Sequence, residues 1–405
     1  MNLNARDVFP GLDSLIPESR FNRVENAIHG LFNKSLTRLE NGYPFIITGD
    51  IPAMWLRDST WQVAPLFHSK HPKVIDLLIA LSKTQTQLFL IDPYANAFNP
   101  AANGQCWHKD FADQSPWVFE RKYELDSWAS VLYLARMIVE KYGRLDHIDG
   151  AFKEALELMV KLARKEQRHD PESYIFKRDN GVPHDSLSHN GFGAPTGYTG
   201  MVYSAFRPSD DACVYGYLVP SNIFFLNELE NLLANLKSAE SIALSAEIRK
   251  GLEEFAVIDG RYAYEVDGLG KALFIDDANV PSLLSLPLLG AVSPHDEVYV
   301  ATREFILSKK NPFYFAGKKA KGIGSRHTPT NYVWPIALAV QALTDPAVDK
   351  KLETLKLLEQ TDAGTGNMHE AFNVDDDKEF TRPWFSWADM TYVQLVLASV
   401  NYSAE

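Results

Sequence analysis

The sequence predicts an all-α protein whose helices close into an α/α toroid. Apolar residues recur at helical spacing in about a dozen segments of the 405-residue chain. Strand and helix signals do not alternate with short turns, which disfavours a Rossmann or TIM arrangement. Long loops rich in Asn, Pro, Gly and His separate many of the helices. Such loops are usually functional, so we expect the inner helices to present their ends to a shared cleft.

The helices are predicted in order from their apolar stripes. The first has apolar or small residues at 21, 24, 27, 28, 31, 32, 35 and 36, on one face. Asp58 or Ser59 is a candidate N-cap for the second. One short hairpin is predicted around Asp267 and Gly268, between segments 262–266 and 273–275. The full set of predicted helices is 20–39, 59–68, 74–90, 124–142, 149–167, 220–236, 239–255, 281–289, 295–308, 330–343, 345–362 and 387–400.

Composition excludes several classes of protein. A formal charge of −12 repels phosphate backbones, so we expect no nucleic-acid partner. Two cysteines, Cys106 and Cys213, are too few for a disulfide scaffold. The N-terminal segment has no basic run followed by an apolar one, so we expect neither a signal peptide nor a membrane span. We therefore expect a cytoplasmic monomer, or a secreted protein if a leader has been removed, and a single domain over residues 1–405.

Three stretches place carboxylates beside Arg, His or Trp: 48–59, 206–211, and 368–377 followed by 383–387. A sugar offers hydroxyl edges, which carboxylates and Arg bind, and apolar C–H faces, which aromatic rings cover. Hydrolysis of a glycosidic bond also needs two separated carboxyl groups. These segments therefore predict one carbohydrate site assembled from distant parts of the chain.

The motifs in and around these segments resemble glycoside hydrolase family 125, whose members are exo-acting α-1,6-mannosidases. They are TGDIPAMWLRDS at 48–59, ERKYELD at 120–126, RPSDD at 207–211, DDANVPSLL at 276–284, GNMHEAFN at 366–373 and FTRPWFSW at 380–387. The resemblance implies a six-hairpin (α/α)6 barrel with long loops at the active-site end. It also implies inverting, metal-independent release of terminal mannose from mannosides or N-glycan fragments, without a cofactor.

Asp210 and Asp211 are the candidates for the catalytic acid. Adjacent acids repel, so one of them can keep its proton. In related α/α-barrel glycosidases a Ser-Gly-x-Asp stretch supplies the acid, and its placement favours Asp210. Asp211 remains the alternative. The competing interpretation is that residues 209–211 cap a helix.

Glu370 is the candidate catalytic base. An inverting glycosidase needs an ionised carboxylate that activates water on the face opposite the acid. The competing interpretation is a first-turn Glu that interacts with a helix N-terminus. A zinc-protease reading fails, because the second His of H-E-x-x-H is missing.

Eight further residues are candidates for binding the sugar. Arg57 and Asp58 can hold adjacent hydroxyls by charge-assisted hydrogen bonds, and Trp55 offers a ring. A buried ion pair with a helix cap explains the same residues. Trp107, His108, Trp334 and Trp384 are weaker subsite candidates. The predicted sugar-binding set is Trp55, Arg57, Asp58, Glu124, Asp126, Asp277, His327 and Trp387.

Three alternative functions fit parts of the pattern. Another sugar enzyme, such as a glucosidase, a trehalase-like hydrolase or an epimerase, uses the same toroid. A glycan-binding protein on a degraded catalytic fold needs only the pocket. The run 375–379 satisfies the D-D-x-x-[D/E] pattern of terpenoid cyclases, which requires these acids on a helix facing an apolar pocket. We expect the run to be a solvated acidic turn, and we predict no metal site.

Overall fold

A computed structural model describes residues 1, 3–111 and 113–403 of the chain. Within these residues there are thirteen α-helices and fifteen short strands. The helices are α1 (Ala5–Val8), α2 (Glu18–Gly30), α3 (Leu56–Val63), α4 (Pro72–Ile91), α5 (Leu125–Tyr142), α6 (Gly150–Glu166), α7 (Ser188–Gly191), α8 (Val219–Glu230), α9 (Ala239–Phe255), α10 (Glu297–Ile306), α11 (Pro335–Leu343), α12 (Val348–Gln360) and α13 (Ser386–Ser399). The strands are β1 (Leu36–Arg38), β2 (Pro44–Ile46), β3 (Met54–Trp55), β4 (Ala97–Phe98), β5 (Val118–Glu120), β6 (Tyr217–Leu218), β7 (Val257–Ile258), β8 (Arg261–Tyr262), β9 (Glu265–Val266), β10 (Ala272–Leu273), β11 (Tyr314–Ala316), β12 (Lys321–Ile323), β13 (Tyr332–Val333), β14 (Ala371–Asn373) and β15 (Phe380–Thr381).

The helices form two concentric layers, as the predicted toroid requires. In the inner layer α3 packs between α5 and α13, α5 packs on α8, and α13 packs on α11. Outside them, α4 covers α5, α9 covers α8, and α12 covers α11 and α13. Every residue of α3 is buried, whereas only Leu355 and Leu358 are buried in α12. A helix that is buried on all sides belongs inside, and one with a single apolar stripe covers it.

The predicted helix at 281–289 is wrong in its conformation. This segment forms consecutive turns between α9 and α10, and Leu283, Leu284 and Leu286 are buried. The amide groups of Leu283 and Leu284 donate to the Asp276 carboxylate, at 2.8 and 2.9 Å. Side-chain acceptors of this kind compete with the helical hydrogen bonds of the backbone. The segment nevertheless comes after the outer helix α9 in the chain. Since inner and outer elements alternate, it occupies the place of an inner helix.

Short antiparallel sheets lie at the N-terminal ends of the inner helices. The three-stranded sheets have the orders β3-β4-β5, β10-β9-β6 and β13-β14-β15. Strand β3 ends at Trp55 and α3 begins at the next residue, and β6 runs into α8 in the same way. The predicted hairpin around Asp267 is confirmed, since β9 pairs with β10. The sheets therefore gather several helix N-termini at one end, where partial positive charge favours carboxylates.

The second predicted helix begins earlier than expected. Its first residue is Leu56, and Trp55 is the N-cap residue without a side-chain hydrogen bond. Asp58 and Ser59 therefore lie inside the first turn of α3 rather than at the cap.

Helix α4 is long and apolar enough to cross a membrane by length and composition alone. Within its 18-residue window, however, 61% of the residues are buried inside the protein. Core helices pass the same test, and α4 packs against α5 and α6. The large buried core extends from Ala5 to Tyr402 and includes this helix.

Candidate active site

A cavity of about 310 Å³ opens at the sheet end of the barrel. Its size lies at the lower end of the ~300–1,000 Å³ typical of small-ligand pockets. The structure brings seven of the eleven predicted site residues to its wall. These are Trp55, Arg57, Asp58, Asp210, His327, Glu370 and Trp387.

Arg57 is the centre of a buried charge cluster at the cavity floor. Its Nη1 donates to Glu124 at 2.5 Å and to Asp126 at 3.2 Å. Both acids lie at the N-terminus of α5, and neither lines the cavity. The guanidinium is also 3.5 Å from Asp58 and 3.8 Å from Asp210. Glu124 and Asp126 therefore hold Arg57 in place from behind, and the buried ion pair and the sugar pocket share this residue.

Asp58 faces the cavity beside Arg57. Its Oδ2 accepts a hydrogen bond from the Thr48 hydroxyl. Burial raises the pKa of Asp58, and Arg57 opposes this effect. The Trp387 ring, in the first turn of α13, lies 6.0 Å from the Arg57 guanidinium. This wall offers both a polar edge and an aromatic face.

Asp210 enters the cavity from a tight loop. Its φ of 64° lies in the left-handed region. The Arg207 amide donates to the Asp211 carbonyl at 2.8 Å, which closes the loop around it. No helix begins at residues 209–211, so the capping interpretation is wrong. Instead the Ser209 hydroxyl donates to Asp277 at 2.9 Å.

Asp211 points away from the cavity and is fully buried. Its Oδ1 lies 3.5 Å from His327 Nδ1 and 3.8 Å from His184 Nε2. The two adjacent acids therefore have different surroundings, and only Asp210 is placed to reach a ligand in this cavity.

Asn96 links Asp210 to Glu124. Its Nδ2 lies 3.1 Å from Asp210 Oδ1 and 3.3 Å from Glu124 Oε1. Burial raises the pKa of Glu124 well above its usual value, against Arg57 and with help from Asp210. Burial also acts to raise the pKa of Asp210, but Lys122 and Arg57 outweigh it and the result is a lowered pKa. Within this pair the Glu124 carboxyl has the raised pKa and the Asp210 carboxyl the lowered one.

Glu370 lines the same cavity and is 8% exposed. Strand β14 follows it directly, so the interpretation as a first-turn helical Glu is wrong. Its Oε2 accepts from the Thr381 hydroxyl at 3.0 Å, and its Oε1 lies 3.5 Å from Arg382 Nη1. Arg382 Nε in turn donates to Asp50 at 2.8 Å. These contacts from β15 and the loop after it fix the direction of the carboxylate.

Asp277 is a structural residue in this geometry. It is 2% exposed, lies behind the cavity wall, and accepts from Ser209 and from the Ala278 amide. Among the weaker candidates, Trp107, His108 and Trp334 line the cavity, whereas Trp384 does not.

Lys122 and Arg178 form a charged wall of the cavity that the sequence did not predict. Lys122 is buried and its Nζ donates to the Asp210 carbonyl at 2.7 Å and to Asp185 at 3.1 Å. Arg178 donates to Asp110 at 2.7 Å and to Glu120 at 3.1 Å. A signal was present, because Glu120 and Lys122 belong to the ERKYELD motif.

The acidic run 375–379 is a surface turn between β14 and β15. Asp377 pairs with Lys319 at 2.8 Å, and Asp375 accepts from the Lys318 amide at 2.9 Å. It is not on a helix facing an apolar pocket, so the terpenoid-cyclase interpretation fails. Within residues 1, 3–111 and 113–403, no group of three His, Cys, Asp or Glu side chains has the spacing to hold a metal ion.

A double layer of helices around a cavity with separated carboxylates defines a glycoside hydrolase of the α/α-barrel class. The family model for metal-independent alpha-mannosidases (GH125) matches residues 17–397. The chain belongs to this family, and the resemblance seen in the sequence is confirmed.

The chain is also similar to a protein of known sequence and to a protein of known structure. The meiotically up-regulated gene 157 protein of Schizosaccharomyces pombe is 39% identical over 392 residues, covering 88% of this chain and 77% of that protein. A Streptococcus pneumoniae metal-independent alpha mannosidase, solved in a non-productive complex with α-1,6-mannobiose, is 40% identical. It has a TM-score of 0.95 and covers 99% of this chain and 100% of its own.

A more distant structure shows the same fold. A bacterial glucoamylase complexed with acarbose has a TM-score of 0.61 and 11% identity, over 98% of this chain and 57% of its own.

Proposed function

We propose that this protein is an exo-acting α-1,6-mannosidase that releases the non-reducing terminal mannose with inversion. The observation that carries the proposal is that Asp210 and Glu370, 160 positions apart in the sequence, line one small cavity. Support for the linkage comes from the 40% identical S. pneumoniae protein, which was solved with α-1,6-mannobiose.

The acid step uses the Asp210 carboxyl. As the bond between the anomeric carbon and the glycosidic oxygen breaks, the oxygen takes a proton from Asp210. That proton comes from the Asp210–Glu124 pair: it passes from Glu124 to Asp210 across the hydrogen bond between the two carboxyls and from Asp210 to the oxygen, which leaves both carboxylates ionised beside Arg57. Two interacting carboxyls titrate as a pair, so the proton belongs to both of them.

The base step uses Glu370. Water attacks the anomeric carbon from the face opposite the leaving oxygen, and Glu370 takes the proton that the water loses. Thr381 and Arg382 hold the carboxylate in a fixed direction, which places the water before the reaction. The products are mannose with inverted configuration and the shortened mannoside.

The cavity favours a terminal sugar. Arg57 and Asp58 hold hydroxyls, while Trp55 and Trp387 cover the apolar face. The ion pair between Arg382 and Asp50 joins the loop before α13 to the loop before β3, and so closes one side. A pocket of this size that is closed on one side favours a chain end over an internal residue.

The experiment is incubation with α-1,6-mannobiose, with the anomeric protons followed by NMR. Inversion predicts that β-mannose forms first and later mutarotates. First-formed α-mannose would contradict the proposed stereochemistry. Parallel reactions with α-1,2- and α-1,3-mannobiose and with aryl glucosides test linkage and sugar. Binding of mannobiose in calorimetry without turnover would support the glycan-binding alternative instead.

A further inference from the structure

Asp211 is a buried carboxylate that the proposed reaction does not use. It is 0% exposed, and neither of its oxygens has a hydrogen-bond donor among the described residues. A buried charge without donors is costly unless a cation lies beside it. The ring nitrogens of His327 and His184, at 3.5 and 3.8 Å, are the nearby groups that can carry that charge.

His327 connects this carboxylate to the cavity. About a third of its side chain, 35%, is exposed, and the residue lines the cavity with Asp210 and Glu370. Its Nδ1 is the nitrogen near Asp211. The opposite nitrogen, Nε2, makes no hydrogen bond to any described residue, so it is available to a ligand.

The charge of His327 decides what this nitrogen offers. In a neutral ring with the proton on Nδ1 beside Asp211, Nε2 is a hydrogen-bond acceptor. In the imidazolium both nitrogens are donors. A donor with a positive charge binds a sugar hydroxyl more strongly than a neutral one.

We propose that Asp211 is a positioning residue whose buried carboxylate holds His327 as an imidazolium, so that His327 Nε2–H donates a hydrogen bond to the mannoside in the cavity. This role rests on the proposed function. It also explains why two acids stand side by side at 210 and 211: the first faces the substrate and the second fixes the charge of a binding residue.

The charges around His327 agree with this role. Burial acts to lower the pKa of His327, but Asp211, then Glu370 and Asp210, raise it to about 9. The other titratable groups facing Asp211 are His184 and Asp277. Burial and the Asp211 charge raise the pKa of Asp277. The groups around His327 are thus predominantly acidic. We therefore expect His327 to keep its positive charge through neutral pH.

The first test is the titration of His327 by NMR in protein with labelled histidines, assigned with His327→Gln. In the unmodified protein its pKa should lie near 9. In Asp211→Asn it should fall toward ~6.5, the value of an isolated histidine. A pKa at or below that value in the unmodified protein overturns the proposal. This readout needs no turnover, so it remains decisive even if the enzyme acts on another sugar or Asp211→Asn folds poorly.

The second test is the ratio of kcat/KM in Asp211→Asn to that of the unmodified enzyme on α-1,6-mannobiose. It should be close to one at pH 6, where both proteins carry the imidazolium. At pH 8.5 it should fall roughly tenfold, the loss of one charge-assisted hydrogen bond. The corresponding ratio for His327→Gln, its kcat/KM over that of the unmodified enzyme, should be low at both pH values. Asp376→Asn, the same exchange in the surface turn, should leave the ratio at one. A ratio for Asp211→Asn that is equally low at both pH values indicates a merely structural role and overturns the proposal.

Discussion

Asp210 and Asp211 are adjacent in the sequence, but their side chains have different surroundings. The left-handed backbone at Asp210 turns its side chain into the cavity, where Asn96 and Arg57 approach it. Asp211 then points to the opposite side of the loop, toward two histidines. From the sequence, the repulsion between the two acids does not distinguish them, and only the placement of the acid in related α/α-barrel glycosidases favoured Asp210.

Substituting the acid should show a dependence on the leaving group. Asp210→Asn should lower kcat on α-1,6-mannobiose by ~10²–10⁴, the usual contribution of a general acid. On 2,4-dinitrophenyl α-mannoside the loss should be much smaller, because that leaving group departs without a proton. Steady-state kinetics on both substrates measure the difference. Equal losses on both would exclude Asp210 as the acid.

Substituting the base should show no such dependence. Glu370→Gln should lower kcat by ~10²–10⁴ on both substrates, since each needs the activated water. Its thermal midpoint should stay near that of the unmodified protein, because Gln keeps an acceptor for the Thr381 hydroxyl. Glu254→Gln, on the exposed side of α9, is the matched control and should retain full activity. Substantial activity remaining in Glu370→Gln would assign the base elsewhere.

At the scale of elements, the site depends on what precedes each inner helix. Arg57, Asp126 and Trp387 lie in the first turns of α3, α5 and α13. Their helices were predicted from apolar periodicity, but the short strands before them were not. A strand of two or three residues carries almost no period, and its pairing partner lies far along the chain. The same limit applies to 281–289, where Asp276 captures the backbone amides.

The loop between β4 and β5 should provide the platform for the second sugar. Trp107 lies at the cavity edge, 61% exposed, with its ring 5.7 Å from that of Phe119 in an edge-to-face pair. Trp107→Ala should raise KM for α-1,6-mannobiose roughly two- to tenfold, for the loss of ~0.5–1.5 kcal/mol of stacking. kcat should change little.

Methyl α-mannoside separates this role from a general effect on the pocket. It has no second sugar, so its KM should be unchanged in Trp107→Ala. Leu145→Ala, another exposed apolar residue, should alter neither KM. An unchanged KM for mannobiose would remove Trp107 from the binding surface.

At the scale of the whole molecule, burial of acids makes stability depend on pH. Burial raises the pKa of Asp389 to about 7 and that of Asp276 to about 8. Both are near 3.9 in an unfolded chain. The folded protein therefore binds more protons than the unfolded one between these values, and its stability falls as pH rises through them. The raised pKa of His327 acts in the same direction up to about pH 9.

The free energy of unfolding should accordingly be lower at pH 8 than at pH 5, as measured by urea denaturation. In Asp389→Asn the difference between the two pH values should shrink, because one of the titrating groups is gone. Asn keeps an acceptor for the Met368 amide, which Asp389 binds at 2.7 Å. Asp146 and Asp185, with pKa values lowered to about 2, titrate outside this window. An undiminished pH difference in Asp389→Asn would show that this carboxyl is ionised in the folded state throughout.

The fold class and the family of this protein could be predicted from its sequence. Helical periodicity predicted the all-α barrel, and the motifs around Arg57, Asp210 and Glu370 predicted the family and the carboxylate pair. The single domain, the monomeric state and the cytoplasmic location stay predictions. Helical periodicity and short motifs can be recognised in the sequence because both depend on residues that are close together in the chain.

Tertiary structure alone decided which of the predicted residues line the cavity. Glu124, Asp126 and Asp277 lie behind the wall, Asp211 faces His327, and Lys122 joins a site that it was not assigned to. The physical reason is that the roles of charged groups depend on burial and on partners tens or hundreds of positions away. Adjacent residues with identical side chains, such as Asp210 and Asp211, acquire different partners only when the chain has folded around them.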